Sequence, residues 1–387
     1  RSGGVWTAGQ RLLGTPQTGA SAQGWSVAIS SDGTTAIVGG HTDNNYIGAA
    51  WVWGLSGGTW IQQAKLVGGD AVGTGFQGAS VALSADGNTA IVGGSIDNNG
   101  VGAAWVWTRS GSAWTQQGAK LVGTGGVLQQ SQGYAVSLSA DGDTAIITGA
   151  FDNNSTGAAW VWTRSLGVWT QQGPKLVGSG AVGAAFQGFS VSLAADGNTA
   201  LVGGWEDNSN AGAVWVWTRS GSVWTQQGPK LVGSGAVGSA QQGYSVALSA
   251  DSDTAIVGGR YDNFGCGAAW TWTRSAGVWT QQGPKLIGSG AVGCAGQGWD
   301  VALSSDGSIA MVGGILDNSN TGATWVWTRS GGTWTQQGPK LAVAYAFQGT
   351  SVSLSADGNT AIAGGPLDTA SAGAAWIWTR TGGVWTQ

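Results

Sequence analysis

Few side chains in this chain of 387 residues are suited to catalysis or metal binding. It has one His (His41), one Glu (Glu206) and two Cys, so repeated His-based triads or metal sites are excluded. Apart from acids that recur at two turn positions, only Asp70, Asp143, Asp253 and Asp300 remain, at unmatched places. The sequence therefore predicts a protein that is not an enzyme and has no cofactor. An Asp pair acting as a glycosidase is the alternative.

The overall composition limits the possible partners. The chain has 73 Gly, 25 Trp and 9% charged residues, with a formal net charge of −4. Without a basic patch we expect no nucleic-acid partner. Without a long apolar run we expect no membrane insertion. Because the chain opens on Arg1, we expect its natural start to be missing or processed.

An internal repeat dominates the sequence. The pair Gln-Gly recurs at a step of about 55 residues and marks seven units. The units fill residues 1–387 and predict a single domain. They begin near Gln23, Gln77, Gln132, Gln187, Gln242, Gln297 and Gln348.

Each unit is interpreted as four short strands. In "SVALS" apolar and polar residues alternate, and the Asp-Gly of "ADGNT" predicts a hairpin that leads into "TAIVGG". The segments "GAAWVWTR" and "WTQQGPKLVG" supply the third and fourth strands. No helical period is present. Seven such units predict an all-β fold, a seven-bladed β-propeller with four antiparallel strands per blade.

The third strand of every unit carries a Trp-x-Trp doublet, such as Trp105 and Trp107. Residues two apart lie on one face of a strand, so both rings project together while Ala104 and Val106 project the other way. Blades of a propeller stack face to face. We therefore expect the rings of one blade to pack on the small residues of its neighbour, with Trp114 of strand four extending this layer. A ladder of exposed rings for sugar stacking is the alternative.

Three segments of the fourth unit carry a resemblance to a known repeat. They are "FQGFSVSL" (186–193), "TALVGG" (199–204) and "GAVWVW" (212–217). The first is similar to the Phe-Gly and first-strand part of the FG-GAP repeat of integrin α-subunit propellers and of a fungal lectin. The second stands where that family has Gly-Ala-Pro, and the third is similar to its Gly-x-Val-Tyr-Val strand. All seven units share the resemblance, which extends to Trp-rich FG-GAP-like proteins of environmental bacteria.

This chain departs from the FG-GAP pattern between strands one and two, where the family often has a calcium loop. A loop as short as "SADGNT" cannot supply the roughly six to eight oxygens that calcium requires. We therefore interpret Asp86, Asp141 and Asp196 as hairpin residues and predict no metal site there.

A second repeated acid opens the loop between strands two and three. We expect this Asp to cap its own turn, and a shared ion is the alternative. These acids are Asp43, Asp97, Asp152, Asp207, Asp262, Asp317 and Asp368. The Lys or Arg of strand four are expected to be solvated edge charges. They are Arg11, Lys65, Lys120, Lys175, Lys230, Lys285 and Lys340.

The two ends of the chain are similar to each other. "RSGGVWTA" (1–8) aligns with "RTGGVWTQ" (380–387). We predict that residues 1–14 close the ring, with residues 6–13 pairing with residues 374–379 as the fourth strand of the last blade. Residues 384–387 are then expected to fray or to run into a longer chain.

Candidate binding residues lie in the loops between strands two and three and between strands four and one, which emerge on one face of a propeller. Positions there that the repeat does not fix are rich in aromatic residues, as binding faces are. The alternative is that these rings only fill the mouth of the central channel. The candidate ligand-binding residues are Trp25, Tyr134, Phe151, Phe189, Trp205, Tyr244, Tyr261 and Trp299.

The two cysteines, Cys266 and Cys294, fall in loops of this same face beside the junction of the fifth and sixth units. We predict a disulfide between them, and with it an oxidising location outside the cytoplasm. Two free thiols are the alternative.

The function expected from the sequence is that of a secreted, non-catalytic recognition module from a bacterium-like source, which binds a glycan or a surface protein. The alternative is a structural unit of a surface layer, a filament or a large secreted protein. The sequence leaves the ligand and the oligomeric state open.

Overall fold

The computed structural model describes residues 10–343, 347–367 and 373–387. These residues form seven sheets, each of four antiparallel strands in chain order. First strands of consecutive blades contact one another, so they lie nearest the central axis and the fourth strands lie at the rim. The fold is therefore a seven-bladed β-propeller, as the sequence predicts.

The strands recur at matching positions in blades one to seven. The first strands are Ser26–Ile29, Ser80–Leu83, Val136–Leu138, Ser190–Leu193, Ser245–Leu248, Val301–Leu303 and Ser351–Leu354. The second strands are Thr35–Gly40, Thr89–Gly94, Thr144–Gly149, Thr199–Gly204, Thr254–Gly259, Ile309–Gly314 and Thr360–Gly365. The third strands are Ala49–Ser56, Ala103–Ser110, Ala158–Ser165, Ala213–Ser220, Ala268–Ser275, Ala323–Ser330 and Ala374–Thr381. The fourth strands are Thr59–Leu66, Ala113–Gln116, Val168–Gln171, Val223–Gln226, Val278–Gln281, Thr333–Gln336 and Val384–Thr386.

Short helical turns connect the second and third strands. They are Asp43–Tyr46, Asp97–Gly100, Asp152–Ser155, Asp207–Asn210, Asp262–Gly265 and Asp317–Asn320. Their middle residues have left-handed backbone, as at Asn98 (φ 50°) and Asn99 (φ 57°), a conformation that Asn tolerates well. In the described part of the chain, none of the helices has the length and apolar character needed to cross a membrane.

The hairpins between strands one and two are closed by the repeated Asp. Asp32 Oδ1 accepts hydrogen bonds from Ser30 Oγ at 2.6 Å and from the Thr34 amide at 3.0 Å. The Ser30 hydrogen bond, with those from Thr34, lowers the pKa of Asp32 to about 2. The hairpin interpretation of these acids is confirmed. No group of three or more His, Cys, Asp or Glu is placed to hold a metal ion in the described residues, and the absence of calcium stays a prediction.

The Trp doublets are core residues, as the sequence predicts. Trp105 is fully buried and Trp107 is 8% exposed. Both belong to a cluster with Ile37, Ala50 and Val52 of the preceding blade. The indole Nε1 of Trp105 donates to a carboxylate oxygen of the loop between the two blades at 2.8 Å. Burial of such a ring contributes about 3–5 kcal/mol to stability.

The Trp of strand four also joins neighbouring blades. Trp114 Nε1 donates to Gln63 Oε1 of the preceding blade at 2.9 Å. The guanidinium of Arg109 lies over the Trp114 ring at 5.6 Å and donates to Thr35 Oγ1 of the preceding blade at 2.9 Å. The prediction that this Trp extends the layer between blades is thus confirmed, with polar bonds added to the packing.

The repeated Asp of the loop between strands two and three bonds to residues outside its own turn. Asp152, which is fully buried, pairs through Oδ2 with Lys175 Nζ, and its Oδ1 accepts the Val127 amide at 2.7 Å. Five further blades carry the same ion pair: Asp43–Lys65, Asp97–Lys120, Asp207–Lys230, Asp262–Lys285 and Asp317–Lys340.

The expectation that these Lys are solvated edge charges is therefore wrong, because a buried carboxylate requires a cation beside it. The Asp expected to cap only its own turn fastens a distant loop instead. Asp368 lies outside the described residues.

The loop that connects two blades is bonded to both of them. In the loop between blades one and two, the Gln77 amide donates to Ile47 O of blade one at 3.0 Å. The Gln77 side chain accepts from the Gly68 amide at 2.6 Å, and the Val72 amide donates to Asp97 of blade two at 2.7 Å. Gln of the Gln-Gly pair is therefore buried and structural.

The prediction for ring closure is wrong at the C-terminus. Val384–Thr386 forms the fourth strand of blade seven and pairs with the strand Ala374–Thr381, with Arg380 opposite Trp385. A hairpin neighbour closes this position more readily than a segment from the far end of the chain, because its closing loop is short. Residues 1–9 lie outside the described residues, and residues 10–13 contain no strand.

The seam between blades seven and one differs from the other junctions. Six hydrophobic clusters each join two consecutive blades, whereas no cluster of described residues joins blade seven to blade one. Val27 of blade one is 65% exposed, and Ile362 of blade seven is 38% exposed. The Trp doublet of blade one is buried instead with Leu12 of the segment that precedes it.

Candidate binding site at the channel mouth

Four aromatic side chains that follow the Gln-Gly pairs form a row around the axis. The ring centroids of Tyr134 and Phe189 lie 5.4 Å apart, and those of Phe189 and Tyr244 lie 4.9 Å apart. Trp299 continues the row at 5.5 Å from Tyr244. Each ring stands just before an innermost strand, so the row follows the mouth of the channel on the face that carries the variable loops.

Three further rings extend this row outward. Phe186 lies 5.3 Å from Phe151 and 5.8 Å from Trp205, and Trp205 lies 5.9 Å from Phe189. The rings contact one another continuously across blades three to six, and every one keeps part of its surface exposed. We call this set the mouth network: Tyr134, Phe151, Phe186, Phe189, Trp205, Tyr244 and Trp299.

Six of the eight residues predicted from the sequence belong to the mouth network. Trp25 lies apart from it, 67% exposed and 4.5 Å from the ring of His41. Tyr261 is 51% exposed on its loop and makes no ring contact within the described residues. The structure thus brings most of the predicted residues into one surface and leaves two outside it.

Sequence reasoning missed Phe186, which connects the two tiers of rings. It precedes the Gln-Gly pair, and that position has left-handed backbone in every blade. The residues there are Ala22, Phe76, Ser131, Phe186, Gln241, Gly296 and Phe347. A bulky side chain at positive φ costs on the order of 1 kcal/mol, so Gly would be the least strained choice. Three units nevertheless have Phe at this position, which indicates a role other than fold stability.

Arg260 was also missed as a site residue. Its guanidinium carbon lies 3.9 Å from the centroid of Tyr244 and 4.4 Å from that of Trp299. Its Nε donates to Gln241 Oε1 at 2.9 Å. The corresponding position in other units holds residues as different as Ala150 and Ile315. Arg260 therefore brings a fixed positive charge to a surface that is otherwise aromatic.

Burial favours the neutral form of two phenols at the mouth and of the nearby imidazole of His41. Burial raises the pKa of Tyr134 to about 12 and also raises the pKa of Tyr244. Burial lowers the pKa of His41, whose ring lies between those of Trp25 and Phe76. Both phenols therefore carry their protons at neutral pH and can donate to a ligand oxygen.

A cavity opens beside the mouth network at the junction of blades two and three. Its volume is about 680 Å³, within the range of small-molecule sites. Phe151 lines it together with Ile96, Leu128 and Asn154. An apolar wall with nearby amide groups is suited to a ligand that has both an apolar face and hydroxyl groups.

Asp300 lies next to Trp299 but points into the fold. Its carboxylate accepts hydrogen bonds from Ser245 Oγ at 2.8 Å and from the Val352 amide at 2.7 Å, so it links blades five, six and seven. Burial raises the pKa of Asp300 to about 6. Five of the other units have Ser at this position.

The two cysteines lie together, as the sequence predicts. The structure pairs Cys266 with Cys294 as a disulfide. The bond joins the helical-turn loop of blade five to the loop that leads into blade six.

Comparison with models of known protein families finds no match for this chain. Comparison with curated protein sequences also finds no match. The fold and the mouth network are therefore the basis for proposing a function.

Proposed function

We propose that this propeller is a non-catalytic recognition module that binds a glycan at the mouth network. The observation that carries this proposal is the continuous, partly exposed surface of seven rings across four blades. Sugars stack their apolar C–H faces on aromatic rings and present hydroxyl groups at their edges. The phenols of Tyr134 and Tyr244 supply protonated donors for those hydroxyl groups.

The backbone strain at the mouth supports a binding role. Phe186 of the mouth network occupies a left-handed position that glycine, present at the equivalent Gly296, adopts with less strain. Strain at such positions is typical of functional sites, because selection for binding can outweigh the small loss in stability.

The four Asp residues outside the repeated turn positions are engaged in structural bonds, which supports a non-catalytic role. Asp70 accepts from Trp105 Nε1, and Asp300 links three blades. Asp143 and Asp253 pair with Arg residues of strand three at 2.6 and 2.8 Å.

The proposal includes a location and a family. The paired cysteines favour an oxidising compartment, and so a secreted or cell-surface protein. The resemblance to Trp-rich FG-GAP-like proteins of environmental bacteria favours a bacterium-like source. The propeller fold is consistent with membership of the FG-GAP group, to which the motifs at 186–193 and 199–204 are similar. The exposed rings of the mouth network are also suited to binding a surface protein as the ligand.

A second candidate is a structural or assembly unit of a surface layer or filament. The exposed faces of Val27 and Ile362 at the seam favour it, because equivalent residues in other blades are covered by a neighbour. An unmatched pair of faces can bind head to tail and form open filaments.

A glycan array followed by titration calorimetry tests the first candidate. We expect selective binding by the wild-type chain, and a loss of about tenfold or more in affinity for Phe189→Ala, whose ring is central in the network. Phe264→Ala is the matched control, because Phe264 is a 79% exposed ring outside the network. Absence of glycan binding combined with concentration-dependent self-association would support the assembly role instead.

A further inference from the structure

Arg260 differs from the other Arg residues of the described chain in what its charge faces. Arg164 and Arg274 pair with Asp carboxylates, and several strand-three Arg donate to side chains of the preceding blade. No carboxylate pairs with Arg260 within the described residues. It lies at the mouth network, on the opposite face from those Arg residues.

The rings around Arg260 fix the plane of its guanidinium group. Tyr244 and Trp299 lie at 3.9 and 4.4 Å from its central carbon, close enough for strong cation–π contact on both. The Nε–H of Arg260 donates a hydrogen bond to Gln241 Oε1. Only the two terminal amino groups are then left to donate, and no acceptor within the described residues bonds to them.

A guanidinium held in this way presents two parallel N–H groups. That edge matches the two oxygens of a carboxylate or a sulfate, which it binds in bidentate fashion. The ammonium group of a Lys would not be oriented in this way. The aromatic surroundings also lower the local dielectric constant, which strengthens a hydrogen bond between the guanidinium group and an anion.

We propose that Arg260 is an oxyanion subsite within the mouth network and that the preferred ligand is an acidic sugar, bearing a carboxylate or sulfate group. This inference rests on the proposed glycan-binding function and specifies its substrate class. The sugar ring would stack on neighbouring rings of the network while its anionic group pairs with the terminal amino groups of Arg260.

The test uses three sets of oligosaccharides with the same backbone: neutral, uronate-containing and sulfated. By titration calorimetry we expect the wild-type chain to bind at least one acidic set about tenfold or more tightly than the neutral set. The preference should shrink as salt is raised, because the contact is partly exposed. Which acidic set binds more tightly assigns the group as carboxylate or sulfate.

Arg260→Met keeps the length and apolar stem of the side chain and removes its charge. It should abolish the preference for acidic sugars and leave neutral binding in place. Arg260→Lys should restore only part of the preference, since Lys lacks the planar, two-pronged edge. Arg274→Met, in the same blade on the opposite face, is the control and should behave as wild type. Thermal melting and near-UV circular dichroism check that each variant is folded.

Equal affinity for neutral and acidic sugars, unchanged in Arg260→Met, would overturn this inference and leave the glycan-binding proposal intact. Absence of binding to every set would overturn both. A preference for acidic sugars that survives in Arg260→Met would place the anion elsewhere and overturn the role of Arg260.

Discussion

The junctions between consecutive blades and the seam between blades seven and one are built from equivalent residues in different surroundings. Ile146 faces blade four and is fully buried, whereas its counterpart Ile362 faces the seam and is 38% exposed. Val136 is 7% exposed and its counterpart Val27 is 65% exposed. The sheet is the same in both cases. Burial in this fold therefore comes from the neighbouring blade and not from the blade itself.

The same comparison extends to the buried Trp rings. Trp105 and Trp160 each donate their indole N–H to the loop from the preceding blade, at 2.8 Å. Trp51 of blade one is also fully buried, but its Nε1 has no partner among the described residues. Its ring is covered by the segment around Leu12 and Gly14. Within the described residues, the ring of Trp51 is therefore covered by apolar contacts and lacks the hydrogen bond that Trp105 and Trp160 make.

The largest expected effect concerns the equivalent residues Ile146, at a packed junction, and Ile362, at the seam. Ile146→Ala leaves a cavity in a packed junction and should lower the free energy of unfolding by about 2–5 kcal/mol. Ile362→Ala, the same change at the seam, should cost less than about 1 kcal/mol because its side chain is already partly exposed. Urea unfolding of both variants measures the difference. Equal costs would mean that the seam is packed in solution.

The next effect concerns the ion pair that fastens each connecting loop. Asp152→Asn leaves Lys175 in a largely buried position without its counter-charge and weakens the bond to Val127. We expect a loss of about 3 kcal/mol in the free energy of unfolding. Asp143→Asn is the matched control, because Asp143 is 51% exposed in its pair with Arg164 and should contribute less than about 1 kcal/mol. Similar losses in the two variants would show that burial does not decide the strength of these pairs.

The smallest effect is a pH dependence at the junctions on either side of blade six. The pKa of Asp300 is raised to about 6 in the fold, above its ordinary value of 3.8, so the folded state favours the protonated carboxyl group. Its contribution to stability is therefore present below about pH 4 and is lost as pH rises through 6. The loss is at most about 3 kcal/mol, the free energy that corresponds to this difference in pKa.

Asp300→Ser, which restores the residue of five other units, should remove this dependence. Urea unfolding at pH 4 and pH 8 gives the comparison, and subtraction of the variant from the wild type removes the contributions of His41 and Glu206. A wild-type chain that gained stability relative to Asp300→Ser on going from pH 4 to pH 8 would show the opposite sign and contradict the prediction.

The repeat made much of this fold predictable. The Gln-Gly pairs predicted the number of blades, and the Asp-Gly pairs predicted the hairpins between strands one and two. The spacing of Trp105 and Trp107 predicted which face of strand three packs on the neighbouring blade. Contacts between distant segments were not predictable in the same way. The Lys175–Asp152 pair joins the fourth-strand segment to the helical turn of the same blade, and strand periodicity alone does not show that both side chains are buried.

The candidate site was predictable only in part. Its aromatic residues stand at positions that vary between units, which is visible in the sequence. The left-handed backbone at Phe186 is not visible there, because three of the seven units carry Phe where glycine would be expected to mark such a conformation. The role of Arg260 depends on rings contributed by two blades, which only the folded arrangement brings together.

The connecting loops have a consequence for which part of the chain can fold on its own. The loop between blades one and two is bonded to both blades through Gln77, Gly68 and the Val72 amide. The sequence repeat is therefore offset from the unit that folds cooperatively, because the bonds of each connecting loop are made to two blades. A single unit expressed alone would lack one of the two blades to which its connecting loop bonds, so we expect it to remain unfolded, whereas consecutive units keep complete junctions.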